Sequence, residues 1–274
     1  MKLGLQIILD EKEDITLKIK KVRELGFDYC QIVCWDINLY TEENKEKILS
    51  ACKECGISIS SFWAGWSGPK TWNFIDGPST IGFVPAEHRR YRLDELKLGS
   101  DFAKRLGVDK VATHIGFVPE NPRDPNYPGV VEAVREIADY CKANGQSFLF
   151  ETGEETPITL LRLIEDTGCD NLGANYDTAN LILYGKANPV DGLDILGKYV
   201  MDMHAKDGFY PTTGAALGKH SRVGEGAVDF PAIVAKLKKQ GYDGVITIER
   251  EISGPQQIID IIDAKKYLEE IIND

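Results

Sequence analysis

Short β-rich runs alternate with amphipathic helical stretches eight times from one end of the chain to the other. The strand candidates are LGLQII (3–8), YCQIVC (29–34), ISISSF (57–62), KVATHI (110–115), SFLFE (147–151), LGANYD (172–177), YVMDMH (199–204) and GVITIE (244–249). A helical pattern follows each of them. After the first, ITLKIKKVRELG carries Ile15, Ile19, Val22 and Leu25 on one face, and Gly26 supplies the stop. Similar helices are expected over 42–55, 89–106, 129–144, 157–167, 189–197, 230–240 and 255–272. This alternation implies a parallel sheet with right-handed crossovers that place the helices outside. Eight units suit closure, so the expected fold is α/β, a (β/α)₈ TIM barrel formed by residues 1–274 as a single domain. An open doubly wound sheet fits less well, because no glycine-rich phosphate loop follows the first strand.

The formal net charge of −11 argues against a nucleic-acid partner, which would need a concentrated basic face. No apolar run approaches the roughly 18–20 residues that cross a bilayer, so no membrane partner is expected. The N-terminal MKLGLQIILDEKED turns acidic too soon for a secretory signal and reads as the first strand, which leaves a cytoplasmic location as the expectation. The six cysteines then read as reduced thiols. Cys30 and Cys34 fall in a strand pattern and Cys52 and Cys55 in a helix pattern, without the knuckle-like turns of a zinc cluster.

Two long connections, Trp63 to His88 and Ala205 to Val228, both follow strands. They are therefore expected on the C-terminal face, where barrel active sites are built and where long loops serve as lids or substrate walls. The first is rich in aromatic residues, and Trp66 is a candidate substrate wall.

Four polar residues end the fifth to eighth strand candidates: Glu151, Asp177, His204 and Glu249. Neighbouring strands lie about 4.8 Å apart, so side chains at one level on four adjacent strands can converge on a point. Three carboxylates and an imidazole suit one divalent ion, Mn²⁺ before Co²⁺, Mg²⁺ or Zn²⁺, and are harder than a structural zinc site.

The stretches FLFETGEE (148–155), NYDTAN (175–180), MHAKDG (203–208), RVGEGAVDF (222–230) and ITIER (246–250) make the chain resemble, over essentially its whole length, the xylose isomerase-like TIM-barrel superfamily of sugar epimerases, isomerases and inosose-processing enzymes. The pattern is most similar to ketose 3-epimerases of the tagatose/psicose type. That resemblance implies a metal held by Glu151, Asp177, His204 and Glu249, with Glu151 and Glu249 as the acid/base pair, and a homodimer or homotetramer. The implied substrate is a small sugar or polyol. A metal would polarise its carbonyl and stabilise an enediolate while one glutamate removes a proton and the other returns one. Return to the opposite face gives epimerisation, return to the adjacent carbon gives isomerisation, and loss of a β-hydroxyl gives dehydration. A lyase acting on a keto-inositol, dehydroshikimate or oxidised glycoside is therefore the alternative. A barrel that only binds sugar or a partner is a more remote one.

Around the quartet, His114, Lys206, Asn180, Trp66 and Arg222 are candidate substrate contacts. Asp207 is expected to brace its loop, His88 and His220 to lie on the surface, and Glu154 and Glu155 to form a solvated face. Two positions depart from the 3-epimerase pattern. Asn180 stands where a substrate-binding histidine is frequent, and Tyr210 stands where an arginine would follow the metal histidine by six residues. The missing extra histidines also set the chain apart from the three-zinc endonuclease IV-like branch.

Overall fold

A computed structural model describes all 274 residues. Its barrel strands are β1 (Lys2–Ile8), β2 (Tyr29–Cys34), β3 (Ser58–Ala64), β4 (Lys110–Thr113), β5 (Ser147–Glu151), β6 (Leu172–Asp177), β7 (Val200–Ala205) and β10 (Val245–Ile248). All pair in parallel, and β1 bonds to both β2 and β10, which closes the sheet. The expected (β/α)₈ barrel is thus the observed one.

Alternation along each strand sorts residues between two environments. In YCQIVC, Cys30, Ile32 and Cys34 join the apolar layer between strands and helices. Val33 instead meets Trp63, Ala112 and Leu149 in a small separate cluster, and these four are side-by-side partners on β2 to β5. The six cysteines are free, and four of them are buried.

The outer layer follows the amphipathic patterns with small shifts at the helix ends. One helix departs from expectation. The chain turns helical directly after β6, over Thr178–Leu183, before the expected helix at Pro189–Leu196. Asp177 explains the early start. Its Oδ1 accepts from the backbone N–H of Asn180 at 2.7 Å, capping the short helix.

Both long connections lie over the C-terminal mouth. The first holds a short helix, Gly77–Thr80. It is tied to the end of β4 by Val84 N–H donating to Ile115 O at 3.0 Å. Gly82 (φ +64) and Gly116 (φ +99) make this approach feasible, since a Cβ on Gly82 would sit 2.0 Å from the Ile115 carbonyl carbon. The second connection is more regular than its composition suggested. It folds into an antiparallel hairpin of β8 (Asp207–Phe209) and β9 (Lys219–Ser221). The two connections touch where Phe74 N–H donates to Ala215 O at 3.1 Å. No helix is long and apolar enough to cross a membrane.

Candidate active site and metal centre

The mouth gathers the four strand-end residues. One ligand atom each from Glu151, Asp177, His204 and Glu249 lies within 4.8 Å of the others, and all four residues are buried. They come from β5, β6 and β7 and the residue just past β10, which are four neighbours in the barrel. Register sets their level: Asp177 and His204 are direct partners, and Glu249 N–H donates to Ala205 O at 3.2 Å.

His204 Nδ1 is the centre of the group. It lies 3.0 Å from Glu249 Oε2 and 3.4 Å from both Glu151 Oε1 and Asp177 Oδ2. Its Nε2 faces down the barrel, 2.7 Å from Gln31 Oε1. Gln31 donates in turn to Ser61 Oγ at 2.8 Å, and Ser61 donates to Asp202, so a polar layer lies beneath the quartet.

The residues fit a divalent cation. Ligands of such ions stand about 2.0–2.2 Å from the metal, so a shell spans roughly 4 Å, close to the observed spread. Three carboxylates and the adjacent Lys206 ammonium leave two negative charges, which a divalent ion balances. Glu249 Oε2 is fully buried and has no hydrogen bond of proper geometry, although His204 Nδ1 and Lys206 Nζ approach to 3.0 and 3.3 Å. Asp177 offers only Oδ2, because Oδ1 caps the helix.

The protonation behaviour of the ion-free chain reflects the same crowding. Burial opposes ionisation of Glu151, but His114 and His204 outweigh it and hold the carboxyl well below its usual range. Burial likewise opposes the charge on Lys206, yet Glu249, Glu251 and Asp177 hold its ammonium well above the usual value. Asp177, where burial dominates, is pushed up to about 6.

Comparison with known proteins places this arrangement. The family model described as xylose isomerase-like TIM barrel matches residues 19–271. The chain belongs to that family. A solved xylose isomerase domain protein from Planctomyces limnophilus is 32% identical, with a TM-score of 0.92 over 98% of this chain and 96% of that one. The uncharacterized protein MJ1311 of Methanocaldococcus jannaschii is 26% identical over 99% of this chain and 89% of its own length. An inosose dehydratase of Lacticaseibacillus casei is 25% identical over 55% of this chain, which spans only 56% of the dehydratase. A D-tagatose 3-epimerase-like protein and a D-psicose 3-epimerase share the fold at 23% and 15% identity.

Within this xylose isomerase-like barrel, the softer candidates divide. His114 Nε2 lies 3.2 Å from Glu151 Oε1, and its Nδ1 lies 3.0 Å from the Glu154 carboxylate. Asn180 Nδ2 donates to Glu151 Oε1 at 3.2 Å, and Lys206 lies among Glu249, Asp177 and Glu251. All three residues line the cavity above the quartet.

Trp66 does not line it. Its ring is fully buried beneath the Arg92 guanidinium, 4.1 Å from the ring centroid. The wall is formed instead by Trp35, Trp63 and Trp72, and the Trp63 indole donates to Glu151 Oε2. Arg222 also lies outside the cavity, paired with Asp260 at 3.0 Å and with Asp263 and Glu225.

Two surface expectations need correction. Glu154 and Glu155 are 1% exposed, because the chain after β5 turns inward under His114 and Tyr184. Burial, reinforced by Glu154, raises the Glu155 carboxyl well above its usual range. His220 lies on the surface as expected, its side chain 38% exposed, but the β8–β9 hairpin also brings it to the edge of the cavity, with Nε2 3.2 Å from Glu251. His88 lies outside the cavity on the helix Ala86–Arg105, beside Glu87. Asp207 braces its loop as expected, accepting from the N–H groups of Gly208, Gly224, Gly226 and Val228.

Gln31, Trp35, Trp63 and Trp72 escaped the sequence reading. Gln31 carried a signal, as the one strongly polar residue inside an otherwise apolar strand.

Proposed function

We propose that this protein is a metal-dependent sugar isomerase or epimerase that moves a proton beside the carbonyl of a ketose or related polyol. The observation that carries the reading is the buried convergence of Glu151, Asp177, His204 and Glu249 at the barrel mouth. A divalent ion there, Mn²⁺ in the first instance, supplies Lewis-acid polarisation of a carbonyl oxygen.

The chain's own residues divide the remaining work. Asp177 and His204 each have their second polar atom engaged, by Asn180 N–H and by Gln31, which suits them to a ligand role alone. Glu151 and Glu249 are the outermost of the four neighbours, so they approach a substrate from different sides. One carboxylate removes a proton from the carbon beside the carbonyl, and the other returns one to the opposite face. His114, Asn180 and Lys206 supply hydrogen bonds to hydroxyl groups. The indoles of Trp35, Trp63 and Trp72 offer an apolar wall to the C–H face of a ring. The sequence likeness to inosose dehydratases favours a second reading, in which the same proton abstraction is followed by loss of a β-hydroxyl.

The test is to load the protein with Mn²⁺ and screen ketoses, ketose phosphates and keto-inositols for hydrogen exchange in D₂O. Deuterium entry with an intact carbon skeleton and no loss of water is expected, whereas an unsaturated product selects the dehydratase reading. Glu151→Gln and Glu249→Gln should each lower exchange by at least about 10²-fold while leaving the fold intact. Full exchange in either variant, or a protein that takes up no divalent metal, refutes the mechanism.

A further inference from the structure

Two carboxylates beside the quartet, Glu154 and Glu155, are almost wholly enclosed. Taking a carboxylate out of water is costly unless a partner answers it. Of the two, Glu154 meets such a partner: His114 Nδ1 lies 3.0 Å from each of its oxygens. Glu155 Oε2 has none.

The local sequence turns Glu154 inward. Thr152 Oγ1 donates to Asp177 O at 2.9 Å and accepts from Asp177 N–H at 2.9 Å, which ties the end of β5 to β6. Gly153 then lets the chain pass close against the helix Thr178–Leu183 and the residue after it. A Cβ on Gly153 would stand 3.0 Å from Asn180 Cβ and 3.3 Å from the Tyr184 ring.

His114 stands between two glutamates. Its Nε2 lies 3.2 Å from Glu151 Oε1, the oxygen that faces His204 Nδ1 at 3.4 Å. Glu154, His114 and Glu151 thus form one chain of contacts into the quartet. An ionised carboxylate can only accept, so Glu154 commits Nδ1 of the imidazole as a donor. It also fixes the face of the ring. Turned over, the ring would put Cδ2 against Glu154 and Cε1 against Glu151. Glu151 is moreover the better held of the two outer glutamates. Trp63 and Asn180 donate to it, whereas Glu249 Oε2 has no hydrogen bond of proper geometry.

We propose that Glu154 is a positioning residue for the metal centre, acting through His114 on Glu151. This rests on the metal reading of the quartet and gives a role to a carboxylate outside the ligand set. Because His114 also lines the cavity, the same bond sets how its Nε2 edge meets a substrate hydroxyl.

The test begins with the ion-free full chain, labelled with ¹⁵N at histidine. The chain has only 4 histidines, so the ring signals are few, and those of His114 are the ones lost in His114→Gln. In the wild type the Nδ1–H proton should be shifted far downfield and protected from exchange with solvent. Glu154→Met and Glu154→Ala both remove the acceptor and differ in bulk, so whichever folds serves. Each should abolish the protected signal, and Glu154→Gln, which keeps an acceptor, should retain it.

Calorimetric titration with Mn²⁺ reads the consequence. Glu154→Met should weaken binding about tenfold, the lower end of what the loss of an outer partner costs, because Glu154 acts at one remove. Glu154→Gln should stay within about threefold of the wild type, as should Glu155→Gln, an equally buried neighbour. In a His114→Gln background, Glu154→Met should change affinity by less than about twofold, since an effect carried by the ring vanishes with it. Unaltered affinity in the methionine and alanine variants, an equal loss with and without His114, or an Nδ1–H signal that survives removal of the acceptor would each overturn the proposal. A wild-type chain that takes up no Mn²⁺ would overturn the metal reading and this role together, whereas normal uptake with indifferent variants overturns this role alone.

Discussion

Gln31 Oε1 lies 2.7 Å from Nε2 of His204, inside the barrel and one layer below the quartet. With Nε2–H donating to Gln31, Nδ1 is the nitrogen left to face Glu151, Asp177 and Glu249; those carboxylates favour a proton on it in the ion-free chain, and a bound divalent ion would take that proton's place. Outer partners of this kind hold ligand histidines in orientation, and losing one typically costs about 10–100-fold in metal affinity. Gln31→Leu should weaken Mn²⁺ binding by that amount in a calorimetric titration, while Gln31→Glu, which keeps an acceptor, should retain most of it. Equal affinity in the leucine variant would show that the barrel, not Gln31, orients His204.

The strand-end quartet was legible in the sequence because a parallel barrel converts chain periodicity into position. A polar residue closing an apolar run at four successive units has few other places to go. What the sequence did not reveal depends on contacts between distant segments. Trp66 and Trp72 occupy the same loop and look alike as residues, yet one is sealed under Arg92 from a later helix while the other faces the cavity. Glu154 and Glu155 read as solvated because charged pairs after a strand usually are. Their burial arises from His114, just past the neighbouring strand β4, and from the inward turn after β5. His220 enters the site only because the glycine-rich connection folds back as a hairpin. Asp177 illustrates the converse, since the aspartate before Thr-Ala-Asn was an available helix-cap signal.

Trp63 is predicted to matter more for its indole N–H than for its bulk. That group donates to Glu151 Oε2, and both side chains are buried. Trp63→Phe keeps most of the apolar volume but removes a donor to a buried carboxylate. Denaturant unfolding should show a loss of about 1–3 kcal/mol, the usual cost of an unsatisfied buried polar group. If Mn²⁺ is added, part of the loss should return, because the ion takes up the carboxylate charge. An unchanged midpoint would mean that water reaches Glu151 in the variant.

Away from the mouth, Glu136 ties the helix Tyr127–Ala143 to Ala86–Arg105 through Arg90 at 2.7 Å and through Lys97. Arg90 first and Lys97 second hold its carboxyl down at about 2. A carboxyl depressed in the folded state stabilises fully above its unfolded value, near 4.3, and loses that contribution as pH falls toward the folded value. The wild-type protein should thus exceed Glu136→Gln in stability at neutral pH and converge with it between about pH 4 and 2. The group is 38% exposed, so solvent screening should keep the neutral-pH difference below about 1 kcal/mol, and added salt should shrink it. A gap that persists at pH 2 would locate the effect in packing instead.

Asp207 holds the second long connection from its root. Its two oxygens accept from the N–H groups of Gly208, Gly224, Gly226 and Val228 at 2.8–3.1 Å, which gathers both ends of the β8–β9 hairpin onto one buried carboxylate. A Cβ on Gly226 would come within 2.1 Å of Asp207 Oδ1, so this close approach also explains the glycine. Asp207→Ala leaves four donors without their acceptor and should cost at least about 2 kcal/mol, since bonds to a charged acceptor are the stronger kind. The loss should be local first. Protease cleavage should appear between residues 208 and 228 under conditions where the barrel remains intact, and His220 would no longer be held beside Glu251. Because the quartet is built on β5, β6, β7 and β10 rather than on the hairpin, Mn²⁺ affinity should change by less than about threefold in this variant. Affinity that collapses together with the hairpin would show that metal binding depends on this connection and not on the barrel alone.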